Sequence, residues 1–358
     1  MLLSRRPGRF RKDNRMAHAV SLKEIALQAG VSLATVDRVL HARPGASVRM
    51  RDRVLLARDE LERQRQQLAR RGRRFLIDLV MEAPVRFSRL VRAALDRAMR
   101  RAQPAVFRAR EHLAETWPEA ALVEALDAIG RRGSQGVLLK GPDTGPVREA
   151  VARLQARGIP VLALVTDLPG SACSAYVGLD NRAAGRTAAW LMAPWLSPAG
   201  DGVLLSSSGP GFRGELERIE AFVEALGRLA PRSRVQVIDD GLGLHGPTMA
   251  GVGRALAQQA GVAAVYSVGG ANAAILEAFA RAGRVCRVFV GHDLDDDNRM
   301  LLRQQRLSAV LHHDLDQDLD AACRLLMQAH GVAPRDGAAR RSGVAVITPF
   351  NLPPEDMG

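Results

Sequence analysis

With 358 residues, 47% of them apolar, the chain is too long for one hydrophobic core and implies two or three domains. No run of about 18 apolar residues is present to span a bilayer, and the opening MLLSRRPGRFRKDNRMAHAV lacks the apolar stretch of a secretory signal, so a cytoplasmic protein with no membrane partner is expected. Its net charge of +13 is confined, since residues 1–74 hold 19 Lys+Arg against 7 Asp+Glu and the remainder holds 32 against 31, which marks a polyanion-binding module on a near-neutral body.

Residues 1–19 read as a basic extension without order. Residues 20–62 then follow a helix–turn–helix pattern. Ser21 and Glu24 have the spacing of a capping box, Leu22, Ile25, Ala26 and Ala29 share one face, and Gly30 can end the helix with positive φ. Ser32 caps a second helix, LATVDRVLH, which turns Val36, Val39 and Leu40 inward and leaves Leu33, Ala34, Asp37, Arg38 and His41 outward. A third helix starts near Ser47 and runs through VRMRDRVLLARDELERQ, with Val48, Val54, Leu55, Leu61 and the stem of Arg58 along its apolar stripe. In a helix-turn-helix the second helix enters the major groove, so those outward positions are the DNA-facing candidates. Ser32, Thr35 and Ser47 offer hydroxyls to phosphates and serve equally as helix or cap residues.

The run LKEIALQAGVSLATVDRVLHARPGASVRMRDRV resembles the N-terminal headpiece of the lactose-repressor/purine-repressor (LacI/GalR) family, through A-x-x-A-G-V-S-x-x-T-V-x-R-V-L and a Ser-initiated third helix. The resemblance implies that Leu33, Ala34 and Arg38 meet bases. An arginine can grip guanine O6/N7 with two hydrogen bonds, whereas Leu33 and Ala34 offer apolar contact, for example to a thymine methyl. Asp37 departs from the serine usual there. A carboxylate is repelled by phosphates, which leaves contact with cytosine N4, orientation of Arg38 or another arginine, or simple solvation of the helix. Residues 63–74 read as a basic linker in which QQLARR resembles the family's hinge helix. Leu68 would be its minor-groove wedge, and Arg70 and its neighbours would bind phosphate. The aromatic-x-proline-asparagine loop that precedes the family's hinge is missing.

From Phe75 strands and helices alternate. Strands are expected at 75–81, 136–140, 160–165, 202–208, 234–238, 263–268, 285–290 and 308–311. Residues 75–350 thus read as a doubly wound α/β body with parallel sheets in two lobes, followed by a tail at 351–358. Ligands of such sheets bind beyond the carboxyl ends of the strands, which singles out KGPDTG (140–145), SSSGPGFRGELER (206–218), VGGANAA (268–274) and GHDLDDDN (291–298). No GxxxxGK[ST] is present and GPGFRG lacks the spacing of a dinucleotide fingerprint, so no nucleotide cofactor is expected.

The order of these loops resembles the type I periplasmic-binding-protein fold, the effector domain of the same family. By that resemblance AYVGLDNRAAGRTAAWLM is the lobe-crossing segment, where Asp180 and Asn181 either meet the ligand or cap a helix. GFRGELERIEAF would supply a ligand-facing arginine, Arg218 by position with Arg213 as a second candidate. VGGANAA would place Asn272 over the ligand, and VGHD would offer Asp293 to two sugar hydroxyls. Phe87, Phe212, Tyr266 and Trp117 are candidates to stack on a sugar face, each also a core residue. HHDLDQD (312–318), with His292 and Asp293, invites a metal-site reading, but adjacent His312 and His313 diverge on a strand, so no metal is expected. Cys173, Cys286 and Cys323 are odd in number and lack a CxxC, so they read as buried thiols in a reducing compartment. No spacing marks a catalytic residue. The expected function is a ligand-responsive regulator, a repressor binding a pseudo-palindromic DNA operator as a homodimer and sensing a sugar or similar polar metabolite. The alternative is a sugar- or nucleoside-acting enzyme with an incidental basic arm.

Overall fold

The computed structural model describes residues 20–70, 72–239, 241–335 and 341–354, with the backbone alone described at 66–70. The extension expected at 1–19 and the last residues of the expected tail, 355–358, lie outside these. The chain divides into two compact units, 1–71 and 72–358.

The first unit consists of α1 (Leu22–Ala29), α2 (Leu33–Leu40) and α3 (Val48–Arg70). The capping box is reciprocal: Glu24 N donates to Ser21 Oγ at 3.3 Å and Ser21 N to Glu24 Oε2 at 2.9 Å, satisfying two otherwise orphaned amides. Gly30 ends α1 at φ 60°, and a Cβ there would stand 2.8 Å from Arg53 Nη2, so the turn needs glycine for conformation and for room. Ser32 Oγ accepts from Thr35 N and starts α2. Ile25, Ala29, Val36, Val39, Val54 and Ala57 form the core.

Two expectations need correction here. Val48 is 76% exposed, because α3 begins at that residue and its buried stripe starts one and a half turns later, at Val54 and Ala57. The third helix also runs well past Gln64, for 23 residues. No glycine or proline interrupts residues 46–71, and straight-chain Arg, Gln, Glu and Leu all favour continuation. The segment expected as a separate linker is therefore helical to Arg70. Arg65 ties this extension to α1 by donating to both carboxylate oxygens of Glu24 at 2.7 Å. The side chains of Leu68 and Arg70 lie outside the described residues.

The second unit has two lobes. Lobe 1 contains β1 (Arg74–Glu82), α4 (Val85–Arg101), β2 (Val106–Ala114), α5 (Glu119–Arg132), β3 (Val137–Lys140), α6 (Gly145–Ala156), β4 (Val161–Leu164) and β5 (Ala175–Val177). Its sheet is parallel, in the order β2-β1-β3-β4-β5. Lobe 2 contains α7 (Asn181–Met192), a 3-10 turn (Ala193–Trp195), β6 (Gly202–Ser206), α8 (Arg213–Leu229), β7 (Arg234–Ile238), α9 (His245–Gln258), β8 (Val262–Ser267), α10 (Asn272–Arg281), β9 (Val288–His292), α11 (Asp296–Arg303) and β10 (Ala309–His313). The chain then returns to lobe 1 with α12 (Leu315–Ala329), whose Leu319, Ala322 and Leu326 join the core of β1 and α4. It closes lobe 2 with β11 (Val344–Ile347), antiparallel to β10. The second sheet runs β11-β10-β9-β8-β6-β7.

Every expected strand is present, most with shifted ends. β2 and β11 had no expected counterpart, and β5 was anticipated only within the lobe-crossing segment. All three are edge strands. VFRAREHLA has a single buried residue, Phe107, so the alternation that betrays a half-buried strand is nearly absent from it. In each lobe the strand order reverses beside the first strand, between β1 and β3 and between β6 and β8. Such switch points open a crevice at the strands' carboxyl ends, and the two crevices together form one cleft.

Candidate functional site

The cleft has a cavity of about 50 Å³, where one water needs roughly 10–15 Å³ on the same measure. Lobe 1 contributes Arg86 and Phe87 after β1, Lys140 at the end of β3 and Thr166 after β4. Lobe 2 contributes Phe212, Glu215 and Arg218 after β6, Gly269 and Gly270 after β8, and His292, Asp293 and Asp295 around the end of β9. Two lining residues hold left-handed backbone, Val165 at φ 66° and Asp293 at φ 65°. Aspartate tolerates that conformation, but the β-branched Val165 adopts it only with strain, and such strain is characteristic of binding sites.

Arg218 is 4% exposed. Its Nε donates to Asn181 Oδ1 at 2.8 Å, and among the described residues no carboxylate pairs with it. Helix α7 approaches α8 closely enough to set this geometry: a Cβ on Gly185 would lie 2.2 Å from the carbonyl oxygen of Arg218. Asn181 is held in turn by its own donation to Tyr176 Oη at 3.2 Å. Lys140 Nζ donates to the Glu82 carbonyl at 2.8 Å and lies 4.0 Å from the Phe212 ring centroid. Burial pushes its ammonium down to about 8. Burial likewise raises Glu215, which accepts from Ser208 N at 2.7 Å.

Asp293 is clamped from behind. His313 Nε2 stands 3.3 Å from Asp293 Oδ1, too skewed to be a hydrogen bond, so Oδ1 has no hydrogen-bond partner and the attraction is one of charge. On its other side His313 Nδ1 lies 3.0 Å from Asp318 Oδ2 on α12. Burial alone favours neutral imidazole, but Asp293 and Asp318 outweigh it and raise His313 to about 9. Burial would raise Asp293 as well; His313 and Arg218 instead hold it far below the usual carboxylate range. His292 is the opposite case, a histidine kept neutral by burial, with its Nε2 2.8 Å from Tyr266 Oη.

This cluster predicts an alkaline step in stability. The contribution of a histidine with raised pKa is complete below its unfolded value near 6.5 and lost as pH rises through about 9. Thermal unfolding of the wild type between pH 7 and pH 10 should show that loss, and His313→Gln should flatten it. Equal pH profiles for the two proteins would remove the charged-histidine assignment.

Of the residues singled out in the sequence, Phe87, Arg218 and Asp293 line the cleft, and of the aromatic candidates Phe212 does too. Three do not. Asp180 caps α7, accepting from Ala183 N at 2.9 Å. Asn272 donates to Asn298 Oδ1 at 2.7 Å and is 3% exposed. There it braces the end of β9, where Asn298 donates to the His292 and Asp293 carbonyls. Arg213, at the start of α8, lies 3.5 Å from Glu217 one turn on. Tyr266 stacks on Phe222 within the lobe 2 core, and Trp117 packs on that of lobe 1. Arg86, Lys140, Glu215 and His313 were not anticipated as site residues. Arg86 carried no signal; Lys140 and Glu215 lie in the strand-end segments 140–145 and 206–218, and His313 in the HHDLDQD run read as a metal motif. His312 does turn away from His313, accepting from Leu294 N. Among the described residues no group of three or more His, Cys, Asp or Glu could hold a metal ion. All three cysteines are free, but only Cys323 is buried; Cys173 and Cys286 are half-buried at loop and strand margins.

In the first unit, Ser32, Leu33, Ala34 and Arg38 are exposed on α2, with Thr35 and Asp37 half-buried. Asp37 does not engage Arg38. Its Oδ2 accepts from Arg43 Nη1 at 2.8 Å, and its Oδ1 lies 3.0 Å from His41 Nδ1. Ser47 Oγ accepts from Met50 N at the start of α3.

Residues 21–65 match the bacterial regulatory proteins of the lacI family, and residues 91–331 match the periplasmic binding protein domain. The HTH-type transcriptional regulator MalR of Streptomyces coelicolor is 31% identical over 170 residues, 46% of this chain and 47% of its own. The regulator reg1 of Streptomyces lividans is 33% identical over 172 residues, with the same coverage. The match thus spans about half the length of each relative. A similar solved structure is GanP, a glucose-galactose binding protein from Geobacillus stearothermophilus, at TM-score 0.70 and 17% identity, covering 79% of this chain and all of that one. Among the described residues no helix is long and apolar enough to cross a membrane. Over residues 91–331 the chain belongs to the periplasmic binding protein domain family, and residues 21–65 ahead of that body carry the match to the lacI family of bacterial regulatory proteins.

Proposed function

We propose that the protein is a ligand-responsive DNA-binding transcriptional regulator, a repressor that binds a pseudo-palindromic operator as a homodimer and senses a sugar or similar small polar metabolite. The observation that carries the ligand half is Arg218, a buried guanidinium with no carboxylate partner among the described residues, which shares the cleft with Asp293, whose Oδ1 faces the charge of His313 but takes no hydrogen bond. A buried cation without a carboxylate partner and a buried carboxylate oxygen without a hydrogen bond are costly unless something joins them, and a polyol that accepts from one and donates to the other does so. The cavity suits one small molecule, and Phe87 and Phe212 line it. GanP, which shares the fold, is a glucose-galactose binding protein, and that agrees with this class. Relatives named as transcriptional regulators favour this reading over an enzyme.

For the DNA half, Arg38 would read guanine, Leu33 and Ala34 would give apolar base contacts, and Ser32, Thr35, Ser47 and Arg70 would contact phosphates. Asp37 would act through Arg43, presenting that guanidinium to the duplex. Leu68 would be the minor-groove wedge. Ligand would act by its differential affinity for the conformations of the cleft, and so change operator affinity reciprocally.

The test is selection of bound genomic fragments by the purified protein at near-physiological salt. An enriched pseudo-palindrome is expected. Arg38→Ala should then relax preference at one position per half-site, removing about 1–3 kcal/mol of discrimination there. Binding with no enriched motif, weakened alike at all sequences by salt, would leave only a basic arm and end the regulator reading.

A further inference from the structure

Arg86 enters the cleft from lobe 1, one residue before Phe87 on α4, yet its partners all belong to lobe 2. Its Nη2 donates to the Gly243 carbonyl at 2.9 Å and lies 3.5 Å from the Gly269 carbonyl. Its Nε stands 3.2 Å from Asp295 Oδ2. These acceptors come from three loops, those after β7, β8 and β9. The seat is shaped for the guanidinium: a Cβ on Gly270 would lie 2.3 Å from Arg86 Nη2, and one on Gly243 would lie 2.6 Å from the Gly269 carbonyl. Both glycines hold positive φ, +85° and +63°, so any side chain there would be strained as well as obstructed.

Asp295 completes the seat. It is 5% exposed and caps α11 by accepting from Asn298 N at 2.8 Å. Burial pushes its carboxyl up to about 6, and the cation that answers it reaches across from the other lobe. Arg218 keeps its outer nitrogens for the cleft, whereas Arg86 directs its donors at protein acceptors.

We propose that Arg86 is a clasp that holds the two lobes shut, and that it forms a wall of the cleft without reading a charge on the ligand. This deepens the reading of the cleft as an effector site by naming what closes it and which ligands it excludes. An acidic group seated against Arg86 would have to displace Asp295 and two carbonyls, so the wall favours an uncharged ligand. Other bonds also cross between the lobes: Asp143 N donates to the Gly211 carbonyl at 2.9 Å and Gly214 N to Thr166 Oγ1 at 3.0 Å. Loss of the clasp therefore shifts a population of closed molecules and does not separate the lobes.

The experiment uses the full chain, with spin labels on unnatural amino acids that replace exposed Glu149 of α6 and exposed Gln258 at the end of α9, so that the native cysteines stay unmodified. Interlobe distances are read by pulsed electron paramagnetic resonance. Arg86→Met should lower the short-distance population about fivefold or more, the scale of a modest conformational coupling. Adding Asp295→Asn in that background should restore part of it. The amide can still cap α11, while no buried carboxylate is left unpaired. Arg86→Lys, which keeps the charge but not the planar fork, should fall between wild type and Arg86→Met and guards against misreading a folding defect. An unchanged distribution in Arg86→Met overturns the clasp, and so does an opening that Asp295→Asn leaves untouched. The readout involves no DNA, so its failure is distinct from failure of the regulator reading, which the operator selection decides.

Discussion

Arg218→Met should abolish the effect of ligand on operator binding while leaving the affinity of the ligand-free protein for DNA near the wild-type value. Removing one member of a buried, charge-assisted contact costs about 2–5 kcal/mol, which is at least about 30-fold in ligand dissociation constant. Arg218 meets the conditions for the upper part of that range, since it is almost fully buried and fixed by Asn181 before any ligand arrives. Calorimetric titration with a sugar that raises the melting temperature of the wild type is the direct measurement. Arg218→Lys should recover little, because an ammonium cannot keep the Nε bond to Asn181 and donate in the same plane to a ligand. A wild-type titration curve from Arg218→Met would show that the unpaired guanidinium is structural.

Asp78→Ala should cost more stability than any surface change in the body. Asp78 is fully buried on β1. It accepts from Arg110 Nη2 at 2.6 Å and Nε at 2.9 Å, from Arg132 Nη2 at 2.8 Å, and lies 2.9 Å from His112 Nε2. Burial would raise its pKa, but Arg110, Ser134 and His112 outweigh that and lower it. Breaking a buried pair costs about 3–5 kcal/mol. Because Arg110 and Arg132 are partly exposed and can return to water, about 2–4 kcal/mol is expected here. The loss should appear as a lower denaturant midpoint, and the edge strand β2, which this carboxylate ties to β1, should lose hydrogen-exchange protection first. The pH sign follows from the lowered pKa. The stabilisation is present above the unfolded value near 3.8 and is lost as pH falls through the lower folded one. A change within about 0.5 kcal/mol would mean that β2 is held by its ladder alone.

The same residue shows why parts of this fold were hard to read. β2 pairs with β1 along its whole length, and Asp78 collects Arg110 and His112 from alternate positions of VFRAREHLA. That pattern is polar where strand patterns are sought as apolar. The carboxylate that explains it stands about thirty positions away in the chain. The continuous α3 was misread for another reason: family expectation inserted a break where the residues themselves are uninterrupted helix formers. Asn272, expected over the ligand by resemblance, does not line the cleft. Its amide is claimed by Asn298, six residues beyond the strand end that both of them support.

By itself the sequence determined what depends on neighbours three or four positions apart: the Ser21–Glu24 capping box, the left-handed turn at Gly30, the inward Val36 and Val39, and the strand–helix alternation of the body. These are local because each is decided by a backbone hydrogen bond or by one face of one element. It also singled out the segments after β6 and β9 that hold Arg218 and Asp293, and the strand order brought both to the cleft. Only the tertiary structure decided which partners they meet. His313 reaches Asp293 because β10 lies beside β9, and it reaches Asp318 because the chain returns to lobe 1 immediately afterwards. Arg86 finds Gly243, Gly269 and Asp295 only because two lobes made from distant stretches face each other. A buried charge is defined by what surrounds it, and those surroundings are set by sheet order and lobe crossing, which no spacing of residues along the chain expresses.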